Sequence, residues 1–433
     1  MTARRGLRVA VVARAAFPLH GFGGLERHVY DLLRHHLADG MRVILVTRPP
    51  APSARTREAR DAWSALAADA AFTPCFVPYR TFPLAGRRGT TVIDRSTAYP
   101  LFGLRAGRQA ARLVRAGEAD IVYGVGASVL GYARARRRSP DATAPLVFNP
   151  QGLEEFGGAD ESYGGSRLKR LGYEPLRRAV RTCATAADVV IATDRSLEPV
   201  VRRQLRVAPE RLRLVPNGID LEACDRLAGP AEGQAARAAA GLAAGDVLLL
   251  SAGRLERNKG FHHLAAALRG WRERPGWRWA IAGDGPFRAS LGEAVGVAGI
   301  ASRVTWLGAL ATRDLHAWYE AADLFVHPTV YEGSSLVTLE AMAHRRPVLA
   351  TRAGGLPDKV HAGVTGWLVD PGKPAALAAA LDDAVRLRAG WPEMGAAART
   401  LAESTFAWPV VERQLAGIYD ALVRAVRSPS RRG

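Results

Sequence analysis

This sequence has few cysteines and no long apolar run. Its three cysteines among 433 residues, Cys75, Cys183 and Cys224, lie far apart, which argues against a disulfide framework or a metal cluster. No uncharged apolar stretch approaches the ~18 residues needed to span a bilayer. The apolar segment Val9–Ala13 ends at Arg14, which is shorter than the roughly 7–15 residues of a signal-peptide core, and it fits a first strand better. We therefore expect a cytoplasmic protein.

Lysine is also rare, although the chain is strongly basic. Four lysines stand beside 56 arginines, and the net charge is +19. A coding bias toward arginine and alanine explains part of this charge, and an anionic partner is the alternative explanation. Basic residues are concentrated between Arg167 and Arg181, where phospholipid headgroups could bind or where a helix face is simply solvated. The charge alone does not choose between these explanations.

A chain of this length is expected to form two or three domains. Near the N-terminus, the buried-type strand Arg8–Ala13 leads through Gly23 and Gly24 into a helical pattern and then into the strand Arg42–Val46. This order opens a doubly wound α/β domain, whose ligands bind beyond the carboxyl ends of the strands. The two glycines either let the backbone approach a ligand or form a tight turn with positive φ.

The second half repeats this architecture. Val247–Ala252 starts a new sheet, and Leu221–Asp246, rich in alanine, glycine and charge, fits a linker with a surface helix. We place the domain boundary there. Farther along, Gly363–Asp370 is expected to form a closing hairpin-like segment, whereas Pro49 to Tyr99 shows no regular pattern.

The stretch from Leu324 to Val360 has the pattern strand, loop, helix, strand. Glu332 lies in the loop and Glu340 in the second turn of the helix, while Ser334 and Ser335 are N-cap candidates. Backbone N–H groups at the positive end of a helix form an anion site. Two carboxylates around such a site could bind sugar hydroxyls, or could act as the acid/base pair of a hydrolase.

Arg254 and Lys259 follow the first strand of the second half. Two cations at this edge of a sheet could neutralise the charge of a leaving diphosphate, although loop cations commonly face solvent. No Asp-x-Asp pair ends a predicted strand, so a divalent metal that holds a diphosphate is not expected.

Several glycine-containing motifs occur in one order along the chain. They are GGLERH (23–28), VPNGID (215–220), SAGRLERNKG (251–260), IAGDGP (281–286), EGSSLVTLE (332–340), AGGLPDKV (353–360) and TGWLVDPG (365–372). Each motif alone is weak, but together they resemble the retaining family-4 glycosyltransferases of the GT-B fold. Residues 49–120 show no pattern of that family.

The resemblance implies an α/β protein of two Rossmann-like, doubly wound parallel-sheet domains that face each other across a cleft. Residues 1–220 would form the acceptor-binding domain and residues 221–405 the nucleotide-sugar-binding domain. A C-terminal helix within residues 406–433 would cross back and pack on the N-terminal domain. The family needs no metal or other cofactor, and its donor is a UDP- or GDP-linked sugar.

The resemblance also assigns roles to individual residues. Arg254 and Lys259 would contact the donor diphosphate, Glu332 the sugar hydroxyls and Glu340 the ribose, and the first three would form the catalytic set. The other donor-binding positions that it implies are Gly23, Gly24, Gln151, Gly253, Gly333, Ser334, Ser335 and Leu336.

One departure from the family concerns Gln151. Many members carry a histidine at this position, and glutamine can hydrogen-bond a sugar but cannot act as an acid or base near neutral pH. Proton transfer would then depend on the substrate or on a substitute such as His20 or His28. A second departure, Met41 in place of a family histidine, indicates a packing change.

The sequence thus predicts a retaining glycosyltransferase that moves a hexose from a nucleotide sugar to a glycan, a lipid or another glycoconjugate without a metal. The alternatives are a GT-B-type nucleotide-sugar epimerase or phosphorylase, and a basic nucleic-acid-binding protein, although no motif of the last class is present. A location on the inner face of the membrane, held by anionic lipid, would fit the basic charge.

Overall fold

The chain divides into two compact units in a computed structural model that describes residues 6–21, 23–50, 57–80, 91–139, 143–157, 171–243 and 245–427. Unit 1 comprises Met1–Gly218 and Pro409–Gly433, and unit 2 comprises Ile219–Trp408. The divisions predicted from the sequence fall after residues 220 and 405. The stretch 158–170, which holds part of the predicted basic helix, lies outside the described residues.

Unit 1 contains a seven-stranded sheet with the order β3-β2-β1-β4-β5-β6-β7, and every pair of neighbours is parallel. The strands are β1 Arg8–Val12, β2 Arg42–Thr47, β3 Phe72–Phe76, β4 Ile121–Val125, β5 Leu146–Asn149, β6 Val189–Ala192 and β7 Leu212–Leu214. The strands β4, β5 and β6 are buried along their whole length, as expected of a parallel sheet covered on both faces. The chain reverses direction across the sheet between β1 and β4, which is the switch point of a doubly wound fold.

Among the described residues, six helices accompany this sheet before the chain enters unit 2. They are α1 Gly24–Ala38, α2 Arg57–Ala67, α3 Thr91–Arg115, α4 Leu130–Arg138, α5 Glu174–Ala186 and α6 Glu198–Gln204. One core cluster joins sheet residues such as Val12 and Phe148 to Phe102 of α3 and Leu176 of α5. The stretch from Pro49 to Tyr99, predicted to be less regular, contains α2, β3 and the start of α3 among its described residues, which corrects that prediction there.

Unit 2 contains a six-stranded parallel sheet with the order β10-β9-β8-β11-β12-β13. The strands are β8 Val247–Ala252, β9 Trp277–Ala282, β10 Val304–Gly308, β11 Leu324–His327, β12 Val348–Thr351 and β13 Gly366–Val369. The predicted hairpin at Gly363–Asp370 was wrong. The chain turns at Gly363, whose N–H donates to the Gly366 carbonyl, and then continues as β13 parallel to β12.

Eight helices belong to the described part of unit 2. They are α7 Leu221–Leu227, α8 Pro230–Ala239, α9 Phe261–Leu268, α10 Arg288–Val297, α11 Thr312–Ala321, α12 Leu336–Ala343, α13 Pro374–Arg386 and α14 Trp391–Leu401. The stretch predicted to be a linker with one helix forms two helices, α7 and α8. The carboxylate of Asp220 caps α7 by accepting from the Ala223 N–H at 2.9 Å.

The last helix, α15 Trp408–Arg427, returns to unit 1, and this confirms the predicted C-terminal crossover. The buried His36 of α1 contacts α15 at two points. Its Nδ1 lies 2.9 Å from Glu412 Oε2, and its Nε2 lies 3.0 Å from the Tyr419 hydroxyl. Within the described part of the chain, we find no helix with the length and apolar character required to cross a membrane.

Candidate active site

Two neighbouring strands of unit 2, β8 and β11, carry the central residues of the candidate site. Lys259 ends a short 3-10 turn after β8, and Glu332 follows β11 in a loop. The two loops touch, because a Cβ on Gly260 would lie 1.9 Å from the carbonyl oxygen of Pro328. Gly260 also has a φ of 69°, so both its backbone conformation and its surroundings require glycine.

Hydrogen bonds fix these loops to each other. The carbonyl oxygen of Asn258 accepts from the Val330 N–H at 2.7 Å and from the Thr329 hydroxyl at 3.0 Å. On the other side of the β11 loop, the Gly355 N–H donates to the Gly333 carbonyl at 3.4 Å. The loops that follow β8, β11 and β12 therefore form one connected layer at the carboxyl edge of the sheet.

Glu332 is the centre of a charged cluster in this layer. Its Oε2 accepts from Lys259 Nζ at 2.8 Å and lies 2.7 Å from His327 Nε2. Its Oε1 accepts from the Gly333 N–H at 3.1 Å. Only 12% of the Glu332 side chain and 19% of the Lys259 side chain are exposed. The structure thus brings together two of the three residues predicted to be catalytic.

This environment keeps Glu332 ionised. Burial alone would raise the pKa of Glu332, but the Lys259 ammonium and the His327 hydrogen bond outweigh it and hold the pKa well below its usual range. An ionised carboxylate only accepts hydrogen bonds, so Glu332 is suited to bind hydroxyl groups and not to donate a proton.

His327 is a site residue that sequence reasoning missed. It is the last residue of β11 and is fully buried, and burial lowers its pKa against the opposing effect of Glu332. The neutral ring can donate to Glu332 only through Nε2–H, which leaves Nδ1 as an acceptor. Within the described residues Nδ1 has no hydrogen-bond partner. The available signal was its position, since it ends a buried strand that runs directly into the predicted loop.

The start of α12 provides the predicted anion site. Ser335 is the N-cap residue, as predicted, but its hydroxyl bonds Thr338 Oγ1 at 2.9 Å instead of capping a backbone N–H. Ser334 Oγ accepts from Lys359 Nζ at 3.4 Å, and Leu336 is the first helical residue. Lys359, which is fully buried, was also missed. It adds a cation beside the positive end of the helix.

Glu340 lies in the second turn of α12. Its Oε2 accepts a 2.9 Å hydrogen bond from the hydroxyl of Tyr319 on α11. Tyr319 is fully buried, and burial together with the Glu340 charge raises its pKa well above the usual value. The phenol therefore stays protonated and donates a hydrogen bond to Glu340, which fixes the orientation of that carboxylate.

Arg254 has a different orientation from the other predicted cation. Its Nε donates to Glu256 Oε1 at 2.8 Å, and 70% of its side chain is exposed. The preceding Gly253 has a φ of 143°, and its carbonyl oxygen would lie 1.9 Å from a Cβ on Gly283. The loops after β8 and β9 thus lie in close contact, and Arg254 lies at their exposed side.

The remaining predicted residues belong to unit 1. Gly23 is the N-cap of α1 with a φ of −69°, and Gly24 is the first helical residue, so the alternative of a turn with positive φ was wrong. Gln151 follows β5 with a φ of 61°, and its N–H donates to Asn149 Oδ1 at 3.0 Å. Its side-chain Nε2 is buried and has no hydrogen-bond partner among the described residues.

Neither proposed substitute histidine is poised to act as a base. His20 Nδ1 accepts from the Ala16 N–H at 3.0 Å, and Nε2 lies 2.9 Å from the Arg48 carbonyl, to which it donates. Burial and the nearby Arg48 lower the pKa of His20 to about 4. His28 is buried in α1, and burial with the neighbouring His36 lowers its pKa to about 4 as well.

The comparisons with known proteins agree with this architecture. Residues 22–223 match the family model described as Glycosyltransferase Family 4, and residues 246–386 match the model described as Glycosyl transferases group 1. Across the described residues, no group of three or more His, Cys, Asp or Glu side chains could hold a metal ion.

Two curated relatives are identical to this chain at about a third of the aligned positions. The alpha-maltose-1-phosphate synthase of Mycolicibacterium smegmatis is 32% identical over 261 residues, which cover 57% of this chain and 67% of the relative. The D-inositol 3-phosphate glycosyltransferase of Mycobacterium tuberculosis is 33% identical over 248 residues, which cover 55% of this chain and 50% of the relative.

Solved structures share the fold. The match to a sucrose-phosphate synthase from Thermosynechococcus elongatus covers 97% of this chain and 100% of the synthase chain, with a TM-score of 0.70 and 23% identity. HepE from Anabaena, solved in complex with UDP, covers 96% of this chain and 100% of its own with a TM-score of 0.72 and 19% identity. The fold is therefore GT-B, and the chain belongs to glycosyltransferase family 4.

Proposed function

We propose that this glycosyltransferase moves a hexose from a UDP- or GDP-linked donor to a glycan, a lipid or another glycoconjugate acceptor, with retention of anomeric configuration and without a metal. The observation that carries the proposal is the Lys259–Glu332–His327 cluster beside the start of α12. It combines an ionised carboxylate for sugar hydroxyls with cations and helix N–H groups for phosphate.

In this proposal, positive charge from the protein replaces a metal at the diphosphate. Lys259 and Arg254 would contact the phosphates, and the N–H groups of Gly333 to Leu336 would stabilise the charge that develops as the diphosphate leaves. Glu332 would accept hydrogen bonds from the sugar hydroxyls. Glu340, oriented by Tyr319, would accept from the ribose.

Gln151 supports a mechanism in which the substrate supplies the base. Because glutamine cannot take a proton near neutral pH and both nitrogens of His20 are already hydrogen-bonded, a phosphate oxygen of the leaving diphosphate would accept the acceptor's hydroxyl proton. The acceptor oxygen would form a bond to the anomeric carbon from the face on which the bond to the diphosphate breaks. Retention follows from this same-face substitution.

The donor assignment is supported by the relatives. A structure of HepE, one of the similar folds, contains UDP-glucose. Family-4 membership makes a nucleotide sugar the natural donor class here. The acceptor, a cytoplasmic location and a peripheral contact with anionic lipid on the inner face of the membrane remain predictions.

The decisive experiment measures sugar transfer from a panel of UDP- and GDP-hexoses in excess EDTA. We expect release of nucleoside diphosphate that depends on an acceptor, with a product whose anomeric configuration, measured by NMR, matches the donor. Lys259→Ala should abolish transfer. Lys373→Ala, which removes an exposed lysine paired with Asp370, should not. An absolute metal requirement, an inverted product, or conversion of the donor to its epimer without an acceptor would contradict the proposal.

A further inference from the structure

A cavity lies at the edge of the unit 2 sheet opposite to the loops of the candidate active site. It has a volume of about 490 Å³ and is lined by the residues that precede three strands, Asp246 before β8, Asp323 before β11 and Pro347 before β12. In a parallel sheet the amino ends of the strands share one edge, so this cavity lies away from the loops that carry Lys259 and Glu332. Its volume falls within the roughly 300–1,000 Å³ of small-molecule sites.

The lining of this cavity is positively charged. Four arginines, Arg237, Arg345, Arg346 and Arg388, face two aspartates, which gives a net charge of +2. Arg237 neutralises Asp323 through a 2.8 Å ion pair, and its other nitrogen donates to the Asp246 carbonyl at 2.6 Å.

Two of the arginines have free hydrogen-bonding capacity. Arg346 donates to the Ala322 carbonyl at 3.0 Å and pairs with Glu320 at 3.4 Å, so it is held in place. Arg345 and Arg388 are exposed. Within the part of the chain that the structure describes, neither side chain forms a hydrogen bond or an ion pair. Each offers a complete guanidinium fork, the geometry that binds phosphate through two hydrogen bonds.

The backbone holds Arg345 in an unfavourable conformation. Its φ of 55° is in the left-handed region, which non-glycine residues rarely adopt. Helix α14 packs directly against this turn, since a Cβ on Gly395 would lie 2.0 Å from the Arg345 carbonyl oxygen. The turn between α12 and β12 is therefore fixed by packing. Arg345 occupies the left-handed C′ position that ends α12, where its N–H donates to the Met342 carbonyl at 3.0 Å and the Arg346 N–H donates to the Ala341 carbonyl at 3.0 Å.

We propose that this cavity binds the phosphate group of a small phosphorylated metabolite. Arg345 and Arg388 hold the phosphate, and Arg346, paired with Glu320, forms part of the cavity lining. The mostly buried Trp391 and the neighbouring Pro347 and Pro392 line the wall against which the organic part packs. Asp246 is the one lining carboxylate without an ion pair among the described residues, and it favours a ligand that also carries a hydroxyl group able to donate to it. The site is separate from the proposed donor site.

The test is titration calorimetry of the full-length chain at low ionic strength with glucose 6-phosphate, and with glucose as the uncharged control. We expect saturable binding of one glucose 6-phosphate per chain and no binding of glucose. Arg345→Ser and Arg388→Ser should each weaken binding about tenfold, because each removes a charged hydrogen-bonding group. Arg386→Ser should have no effect, since this nearby exposed arginine pairs with Asp383 and does not line the cavity.

Lys259→Ala separates the two sites in the same experiment. If glucose 6-phosphate binds in the cavity, its affinity should be unchanged in this variant. Loss of binding in Lys259→Ala with retention in Arg345→Ser would place the ligand at the donor site and overturn the proposal. Absence of saturable binding up to millimolar concentration would overturn it as well, as would binding of inorganic phosphate but not of the phosphate ester.

Discussion

Lys259 and Glu332 form a nearly buried ion pair whose contributions to stability and to activity can be measured separately. Removing one partner of a buried pair typically costs about 3–5 kcal/mol, because the other charge stays buried alone. In Lys259→Met, His327 Nε2 and the Gly333 N–H still donate to Glu332, and the carboxylate is 12% exposed. We therefore expect a smaller loss, about 2 kcal/mol at pH 7.

The double-mutant cycle isolates the interaction itself. Glu332→Gln keeps the shape of the side chain and removes its charge, and it should cost about 1–2 kcal/mol because the Lys259 ammonium loses its acceptor. Lys259→Met/Glu332→Gln should cost no more than the worse single variant, which gives a coupling energy of about 1–2 kcal/mol. Both single variants and the double variant should lose sugar transfer, so the coupling should be visible in stability and not in activity.

The assay uses the distribution of tryptophan. Eight of the nine tryptophans lie between residues 219 and 408, so fluorescence during denaturation reports mainly on unit 2. For a unit of this size, 1 kcal/mol shifts the melting temperature by about 2–4 °C, and Lys259→Met should lower it by about 4–8 °C. The control is Arg254→Met, which breaks a largely exposed pair with Glu256 and should cost less than about 0.5 kcal/mol.

The pH dependence provides a second check. The folded-state pKa of Glu332 is depressed, so the pair's stabilisation is present above the unfolded-state pKa of about 4.3 and is lost as the pH falls through the folded-state value. In Lys259→Met, burial should instead raise this pKa. The stability difference between wild type and variant should therefore shrink as the pH is lowered from 7 toward 4. A constant difference, or additive single variants, would show that the ion pair does not form in solution.

Two further substitutions test the support of the site. Tyr319→Phe removes the hydrogen bond to Glu340 and should raise the KM for the nucleotide sugar about five- to tenfold with kcat nearly unchanged; an unchanged KM would contradict the positioning role of Tyr319. Gly354→Ala places a Cβ 1.9 Å from the Glu332 carbonyl oxygen at a φ of 51°, so it should cost about 1–3 kcal/mol in the same denaturation assay and reduce transfer. Gly390→Ala, where nothing lies within 4 Å of the new Cβ, should be tolerated, and equal effects at the two glycines would refute the steric argument.

The fold could be predicted wherever burial leaves an unbroken apolar run. The predicted strand Val247–Ala252 has the same bounds in the structure, because strands of a parallel sheet are covered on both faces. The strand Phe72–Phe76 was missed because it contains Pro74 and lies at the edge of its sheet, where one side needs no hydrogen-bonded partner. The helix Thr91–Arg115 was missed in part because Pro100 lies inside it.

The candidate site could be predicted only as far as single motifs reach. The glycine loops and the helix start identify Lys259 and Glu332 separately, but 73 positions separate them and nothing local in the sequence shows that they pair. Lys359 and Tyr319 were missed for the same reason. Each acts on a predicted residue that a different loop or helix supplies, and such partners are brought together only by the packing of the sheet. His327 lies five positions before Glu332, and its place at the end of a buried strand was the available signal.

The Lys259–Glu332 pair also limits what Lys259 can contribute to the proposed chemistry. An ammonium that is already paired with a carboxylate at 2.8 Å presents little net charge to a diphosphate, and the pair as a whole is neutral. The net positive charge at this edge must then come largely from Lys359 behind Ser334 and from the N–H groups at the start of α12, while Arg254, paired with Glu256 through Nε, would offer the N–H groups of its terminal nitrogens. Besides its contact with the phosphates, Lys259 would act mainly by keeping Glu332 ionised and oriented. On this argument, Lys259→Arg should retain part of the activity. Arg254→Lys should weaken binding of the free nucleoside diphosphate more than Lys259→Arg does, because a lysine cannot reproduce the bidentate phosphate contact. Titration calorimetry with the diphosphate measures both, and the reverse order of affinities would return the main phosphate contact to Lys259.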